Sequence, residues 1–139
     1  GFGVYCATKF AVQGFTESLS AEAKPFGIHA TVVYPGYFRT SFLTSDSLRT
    51  PSNEIQEYKS VRELQDTHQN NINGNQMNDP EKGAAVLISI AASKNPPLHL
   101  FLGQDAYDMA VKKIGEVREN LETYKPLITA TGFDLATEA

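Results

Sequence analysis

Residues 28–36 read IHATVVYPG, a short run rich in β-branched side chains that ends in a Pro-Gly turn signal. This pattern predicts a buried, parallel β-strand that feeds a turn. The residues before it predict a helix from Tyr5 to about Lys24, which the sequence PFG at residues 25–27 ends. The helix is indicated by apolar side chains that recur on one face at Ala7, Ala11, Phe15, Leu19 and Ala23.

A second helix, strand and helix follow further along the chain. Asp79 supplies an N-cap oxygen and Pro80 suits the first helical position, so we expect a helix there that ends before residues 95–97. Residues 98–102, LHLFL, predict a second strand, and apolar spacing predicts a final helix from about residue 106 to 121. Strands that alternate with helices favour an α/β fold with a parallel sheet, here with two strands and three to four helices.

A mostly polar segment, residues 40–78, separates the first strand from the second helix. It is rich in Ser, Asn and Gln, and its middle carries four apolar residues at near-helical spacing, namely Ile55, Tyr58, Val61 and Leu64. A connection this long in a compact domain is usually functional or disordered. We expect it to form a lid, and we call it the lid segment.

The composition excludes several classes of protein. The 139 residues are 41% hydrophobic and carry a net charge of −4 without a basic cluster, which disfavours a nucleic-acid partner. The longest apolar run, residues 84–92, is shorter than the ~20 residues that a membrane-spanning helix needs. The one cysteine, Cys6, has no internal disulfide partner and the three histidines are far apart, so we expect no metal site and a cytoplasmic location.

Two strands make an incomplete sheet, because a parallel sheet is normally covered on both faces. The chain also opens with GFGVY, which lacks a Met and leads directly into a helix. We therefore expect further strands N-terminal to Gly1, and we interpret the chain as an interior piece of a longer protein.

Tyr5 and Lys9 are the strongest candidates for chemistry. They lie four positions apart on the first helix, so they share one face with a rise of about 6 Å between their Cα atoms. A cation near a phenol favours the phenolate, and a general acid or base works best when its pKa is near the working pH. The alternative is a surface tyrosine stacked on a lysine stem, and the Tyr-x-x-x-Lys spacing alone does not separate the two.

The context of this pair resembles the short-chain dehydrogenase/reductase family. The matching residues are YCATK at residues 5–9, the small residues that follow, and VVYPG at residues 32–36 with Thr40 after it. The resemblance is strong over residues 1–42 and moderate over residues 79–103. It implies that residues 1–139 are the C-terminal part of a single Rossmann-type domain, a doubly wound parallel sheet, with the lid segment over the substrate.

The resemblance implies a role for each matching residue. Tyr5 would exchange a proton with a secondary alcohol or ketone, while hydride moves between that substrate and NAD or NADP. Lys9 would hold the nicotinamide ribose and assist Tyr5. Pro35 and Gly36 would line the cofactor, with Gly36 allowing close approach of the backbone. The Phe38 backbone would contact the carboxamide, and Thr40 would offer its hydroxyl to the carboxamide or phosphate end.

Other family features would have to lie before Gly1. These are the Gly-rich phosphate turn and the serine that polarises the carbonyl. We therefore expect residues 1–139 alone to be inactive, and the whole protein to be a homodimer or homotetramer. Two alternatives stay open: a sugar-nucleotide epimerase or dehydratase with the same Tyr/Lys pair, and a non-catalytic binding protein derived from the family.

Overall fold

A computed structural model of the chain describes residues 2–44, 48, 53 and 55–133. Four α-helices and two strands follow one another in the order α1 (Gly3–Ala23), β1 (Val32–Pro35), α2 (Lys59–Asp66), α3 (Pro80–Ala91), β2 (His99–Leu102) and α4 (Gln104–Ile128). A π-helical turn, Thr67–Ile72, continues α2. The predicted α/β class is confirmed, with two parallel strands and four helices.

The two strands pair in parallel, with Val32 opposite His99 and Pro35 opposite Leu102. The first strand is shorter than the sequence predicts, because β1 begins at Val32 and the predicted residues 28–31 are not part of it. Pro96 and Pro97 stand just before β2 and have no N–H to donate to a ladder. The Val32 N–H donates to the Leu98 carbonyl at 2.7 Å, and the ladder begins there.

Burial of β1 is only partly as predicted. Val32 is buried, but Val33 is 37% exposed and Pro35 is exposed. The reason is that the sheet formed by the described residues has two strands, so part of its surface has no cover. The buried apolar residues are Ala23, Val32, Leu43, Leu102 and Ala106.

The helix ends follow local chemistry. The Asp79 side chain accepts a hydrogen bond from the Glu81 N–H at 2.9 Å, and Pro80 occupies the first turn of α3, both as predicted. Helix α4 begins after Gly103, whose φ of +107° lies in a region that favours glycine. It extends past residue 121 to Ile128, because residues 116–125 are mostly good helix formers.

The lid segment contains α2 and the π-helical turn, which bear out the near-helical spacing of its apolar residues. Residues 45–47, 49–52 and 54 of the lid segment are outside the described part of the chain. Among the helices described, none combines the length and apolar character needed to cross a bilayer.

Candidate active site

Tyr5 and Lys9 lie together near the start of α1. The Lys9 Nζ stands 5.2 Å from the centroid of the Tyr5 ring, within the range of a cation–π contact. The Tyr5 side chain is 44% exposed, so its phenol remains accessible to a ligand. A surface tyrosine on a lysine stem would show the same contact, so the surroundings of the pair decide what it can do.

Aromatic rings surround Tyr5 on two sides. The Phe2 ring meets it edge-on at a centroid distance of 6.5 Å, and the Phe42 ring lies at 6.2 Å. Phe2 also packs against His68 of the π-helical turn, with the ring centroids 5.1 Å apart. The start of α1 therefore contacts the lid segment near its beginning, at Phe42, and in its π-helical turn, at His68.

The chain leaves β1 through residues 35–40, which we call the exit loop. Its start is fixed to β2, because the Gly36 N–H donates to the Leu102 carbonyl at 2.9 Å. The loop emerges at the carboxyl end of a parallel strand, the edge where α/β proteins usually bind ligands. The 3₁₀ turn Ser41–Leu43 follows the loop and contains Phe42, the neighbour of Tyr5.

The side chain and the backbone of Phe38 make different contacts. The ring covers Gly83 of α3, where an added Cβ would stand 2.6 Å from the Phe38 Cε1. The backbone pairs in parallel with Asn78, but the bonds are made by the Tyr37 carbonyl and the Arg39 N–H. This pairing therefore leaves the N–H and C=O of Phe38 itself pointing away from Asn78.

Thr40 caps the short 3₁₀ turn Ser41–Leu43. Its Oγ1 accepts a hydrogen bond from the Phe42 N–H at 3.3 Å. Because a hydroxyl can donate one bond while it accepts others, the Thr40 proton is still available to a ligand. The exit loop thus presents the Thr40 hydroxyl and the Phe38 backbone amide, shortly before Phe42, the neighbour of Tyr5.

The carboxylate of Asp105 holds the exit loop from the first turn of α4. Its Oδ2 accepts from the Tyr37 N–H at 2.6 Å, and its Oδ1 accepts from the Asn78 Nδ2 at 2.8 Å. The same Nδ2 also donates to the Tyr37 carbonyl at 3.1 Å. Asp105 and Asn78 together therefore bind both backbone groups of Tyr37.

Two opposing effects act on the pKa of Asp105. Partial burial raises the pKa, whereas hydrogen bonds from the Tyr37 N–H, the Asn78 amide and the N–H groups of Ala106 and Asp105 lower it. The hydrogen bonds prevail, and the pKa of Asp105 is lowered from its usual value. The group is therefore a carboxylate at neutral pH.

In addition to the bonds of Asn78, the lid segment is tied to the exit loop at two points. The Tyr37 hydroxyl lies 2.9 Å from the His68 Nε2, and the His68 Nδ1 lies 2.7 Å from the Leu64 carbonyl. Since a carbonyl only accepts, Nδ1 carries the proton in neutral His68 and the Tyr37 hydroxyl donates to Nε2. The second tie runs from the Arg39 Nη2 to the Gln76 carbonyl, 3.0 Å apart.

The structure places Tyr5 and Lys9 in contact on α1, and it places Pro35, Gly36, Phe38 and Thr40 along the chain that leaves β1. The contact that it shows between these two groups of residues is indirect, through the ring of Phe42 against Tyr5. The roles assigned to them stay predictions. Among the described residues, no group of three or more His, Cys, Asp or Glu side chains is placed to hold a metal ion.

Gly36 has a different explanation from the one predicted. The position that a Cβ would take on Gly36 overlaps the carboxylate of Asp105. Glycine is therefore required by a side chain of this same chain, and close approach of a cofactor stays a separate prediction.

The sequence analysis missed Asp105, Asn78 and His68. A usable signal existed for Asp105, because an acidic residue follows Leu102-Gly103 at the end of one strand and Pro35-Gly36 ends the other. Carboxyl ends of paired parallel strands meet at one edge, which would have placed the carboxylate beside the glycine. His68 had no such signal, since no strand end or other local pattern in the sequence places the middle of the lid segment beside Tyr37.

Known proteins resemble this chain in sequence and in fold. The profile described as short chain dehydrogenase matches residues 1–50. An uncharacterised oxidoreductase of Schizosaccharomyces pombe is 32% identical over 94% of this chain and 44% of its own length. A 3-ketodihydrosphingosine reductase of Bacteroides thetaiotaomicron is 31% identical over 88% of this chain and 45% of its own length.

A solved structure shares the fold. The crystal structure of a short-chain dehydrogenase from Streptomyces avermitilis superimposes with a TM-score of 0.76 and 31% identity, over 96% of this chain and 47% of that one. The chain therefore spans less than half the length of these relatives. None of these proteins is named an epimerase, a dehydratase or a binding protein, so they give the two alternatives no support. On this evidence the chain belongs to the short-chain dehydrogenase/reductase family.

Proposed function

We propose that this chain is part of an oxidoreductase that transfers hydride between NAD or NADP and a secondary alcohol/ketone pair. The supporting observation is the Tyr5–Lys9 pair itself, whose phenol ring stands beside Phe42, just after the exit loop. An exposed phenol and an ammonium on one face of a helix suit proton exchange with a substrate oxygen.

The groups of α1 and of the exit loop have the chemistry to hold a nicotinamide cofactor. Lys9 offers an ammonium that suits ribose hydroxyls, and the Phe38 backbone offers a donor and an acceptor that suit a carboxamide. The Thr40 hydroxyl can donate to the same end, because Phe42 uses only its acceptor capacity. When bound, the cofactor supplies or accepts the hydride.

This chain's own contribution is to move a proton and to hold the reactants. Tyr5 donates its phenolic proton to the carbonyl oxygen in reduction, and accepts a proton from the alcohol in oxidation. Phe2 and Phe42 restrict water on two sides of the Tyr5 ring. The contacts of His68 with Phe2 and Tyr37 connect the lid segment to α1 and to the exit loop, which supports a role of this segment as a cover for the substrate.

The test is Tyr5→Phe in the protein extended to the length of its relatives. Removal of a general acid/base should lower kcat by on the order of 10²- to 10⁴-fold, with the cofactor still bound. The matched control is Tyr124→Phe on α4, which should keep the parent kcat because that tyrosine is exposed on another element. Near-parental turnover by Tyr5→Phe would refute the proposed role.

A further inference from the structure

The carboxylate of Asp105 lies where three separate segments meet. These are the exit loop, the residues just before α3 and the first turn of α4. Asp105 is partly buried, and each of its two oxygens accepts a hydrogen bond from a different segment, Tyr37 N–H on one and Asn78 Nδ2 on the other. Bonds to an ionised acceptor are stronger than those between neutral groups, so this carboxylate adds strong links to the backbone bonds that also join the segments.

Two glycines leave the space that the carboxylate fills. On Gly36 a Cβ would overlap the Asp105 carboxylate, and on Gly103 a Cβ would stand 2.7 Å from both the Asp105 Oδ1 and the Asn78 Nδ2. The backbone of both strand ends therefore packs directly against the Asp105–Asn78 pair. Such close packing fixes the direction in which the exit loop leaves β1.

We propose that Asp105 is a positioning residue for cofactor binding, whose carboxylate holds the exit loop in the conformation that presents the Phe38 backbone and the Thr40 hydroxyl to the nicotinamide. The inference rests on the proposed function. Asp105 acts through Tyr37 and does not itself touch the reactants. Asn78 supports it, because its side chain binds both the Asp105 carboxylate and the Tyr37 carbonyl.

Asp105→Asn is the informative change, since it keeps the size of the side chain. An amide has one acceptor oxygen, whereas Tyr37 N–H and Asn78 Nδ2 both donate, so the variant loses one of the two bonds. In the full-length protein we expect the cofactor KM to rise on the order of tenfold while kcat stays within about twofold. A rise in KM without a change in kcat is the result expected when binding that is equal in the ground state and the transition state is lost.

A second measurement does not depend on activity. Hydrogen exchange of the Tyr37 amide, without cofactor, should be faster in Asp105→Asn, while amides in the middle of α1 keep their parental rates. Asp108→Asn is the matched control, because that exposed carboxylate on the same helix bonds the Gln104 side chain and not the exit loop. It should change neither the cofactor KM nor the exchange of Tyr37.

The outcomes separate the hypotheses. Parental cofactor KM and Tyr37 exchange in Asp105→Asn would overturn the inference, and so would a loss of kcat with unchanged cofactor KM. If Asp105→Asn does not fold, Asn78→Ala decides, with a smaller rise in cofactor KM expected because the Tyr37–Asp105 bond remains. If the parent protein binds no nicotinamide dinucleotide, the proposed function fails, whereas the exchange experiment still reports on the loop.

Discussion

Gly36 and Asp105 show how two residues far apart in sequence determine each other. The Asp105 carboxylate fills the volume that any side chain at position 36 would need. The requirement for glycine is therefore steric, and it comes from α4 and not from the turn itself. A substitution at either position should therefore disturb the packing at the other.

Gly36→Ala should destabilise the full-length protein by about 1–3 kcal/mol, because the methyl group forces the carboxylate away from Tyr37. Gly14→Ala is the control, since an added Cβ there meets nothing within 4 Å and alanine is the better helix former. Chemical denaturation measures both free energies of unfolding. Equal stabilities of Gly36→Ala and the parent would contradict the steric account.

Asp105 should also make stability depend on pH. Its pKa is lowered in the folded protein, so its contribution is fully present above the pKa of an unfolded aspartate, near ~3.9, and is lost as the pH falls through the lower folded value. The difference in unfolding free energy between the parent and Asp105→Asn should therefore be constant from about pH 6 to 5 and shrink below about pH 4. If the difference in unfolding free energy instead grew as the pH fell, the predicted direction of the pH dependence would be wrong.

At the scale of elements, the lid segment meets the exit loop through a few polar contacts. The bond from the Tyr37 hydroxyl to His68 anchors the π-helical turn, and the bond from Arg39 to the Gln76 carbonyl anchors the end of the segment. Tyr37 is thus held by Asp105 at its backbone and by His68 at its side chain. Movement of the lid segment is coupled to the exit loop through this residue.

Tyr37→Phe removes the bond to His68 and keeps the backbone contact with Asp105. A hydrogen bond contributes about 0.5–1.5 kcal/mol net, so cleavage of the lid segment by a protease should become roughly 2- to 10-fold faster. Tyr58→Phe, an exposed tyrosine next to α2, is the control and should be cleaved at the parental rate. If Tyr37→Phe and the parent are cleaved equally fast, this bond does not hold the lid.

The sequence predicts an element well when the residues that determine its ends lie within it or next to it. Helix α3 was predicted at both ends, because Asp79, Pro80 and the Asn-Pro-Pro run are local signals. The start of β1 was misplaced, because it depends on prolines that precede its partner strand. The start of α1 and the exit loop were predicted from the family motif at residues 5–9 and 32–40. The contacts of Asp105 and His68, in contrast, form only when segments distant in sequence come together.

At the scale of the whole molecule, much apolar surface is left exposed by the described residues. Phe15 of α1 and Ile88 of α3 are 69% and 71% exposed. The apolar stripe predicted for α1 buries only Ala23. Exposed apolar surface of this extent is typical of an interaction surface, and the expectation of further strands before Gly1 stays a prediction.

Residues 1–139 alone should neither bind the dinucleotide tightly nor turn over. The sequence holds the Tyr/Lys pair but no Gly-rich turn between a strand and a helix, which is the usual cradle for a pyrophosphate. Titration of reduced cofactor, followed by its own fluorescence, compares this chain with the protein extended to the length of its relatives. A micromolar Kd for the shorter chain would refute the expectation.

The two polar ties of the lid have a consequence for engineering. Because the Arg39 tie uses the Gln76 backbone carbonyl, which any residue supplies, His68 and Asn78 are the lid positions whose side chains bind the exit loop and Asp105. A graft of a foreign lid that keeps Thr40, Asn78 and a hydrogen-bond acceptor opposite Tyr37 should leave the proton-transfer pair and its supporting loop in place. Substrate preference in such chimeras would then be exchanged without rebuilding the reaction chemistry.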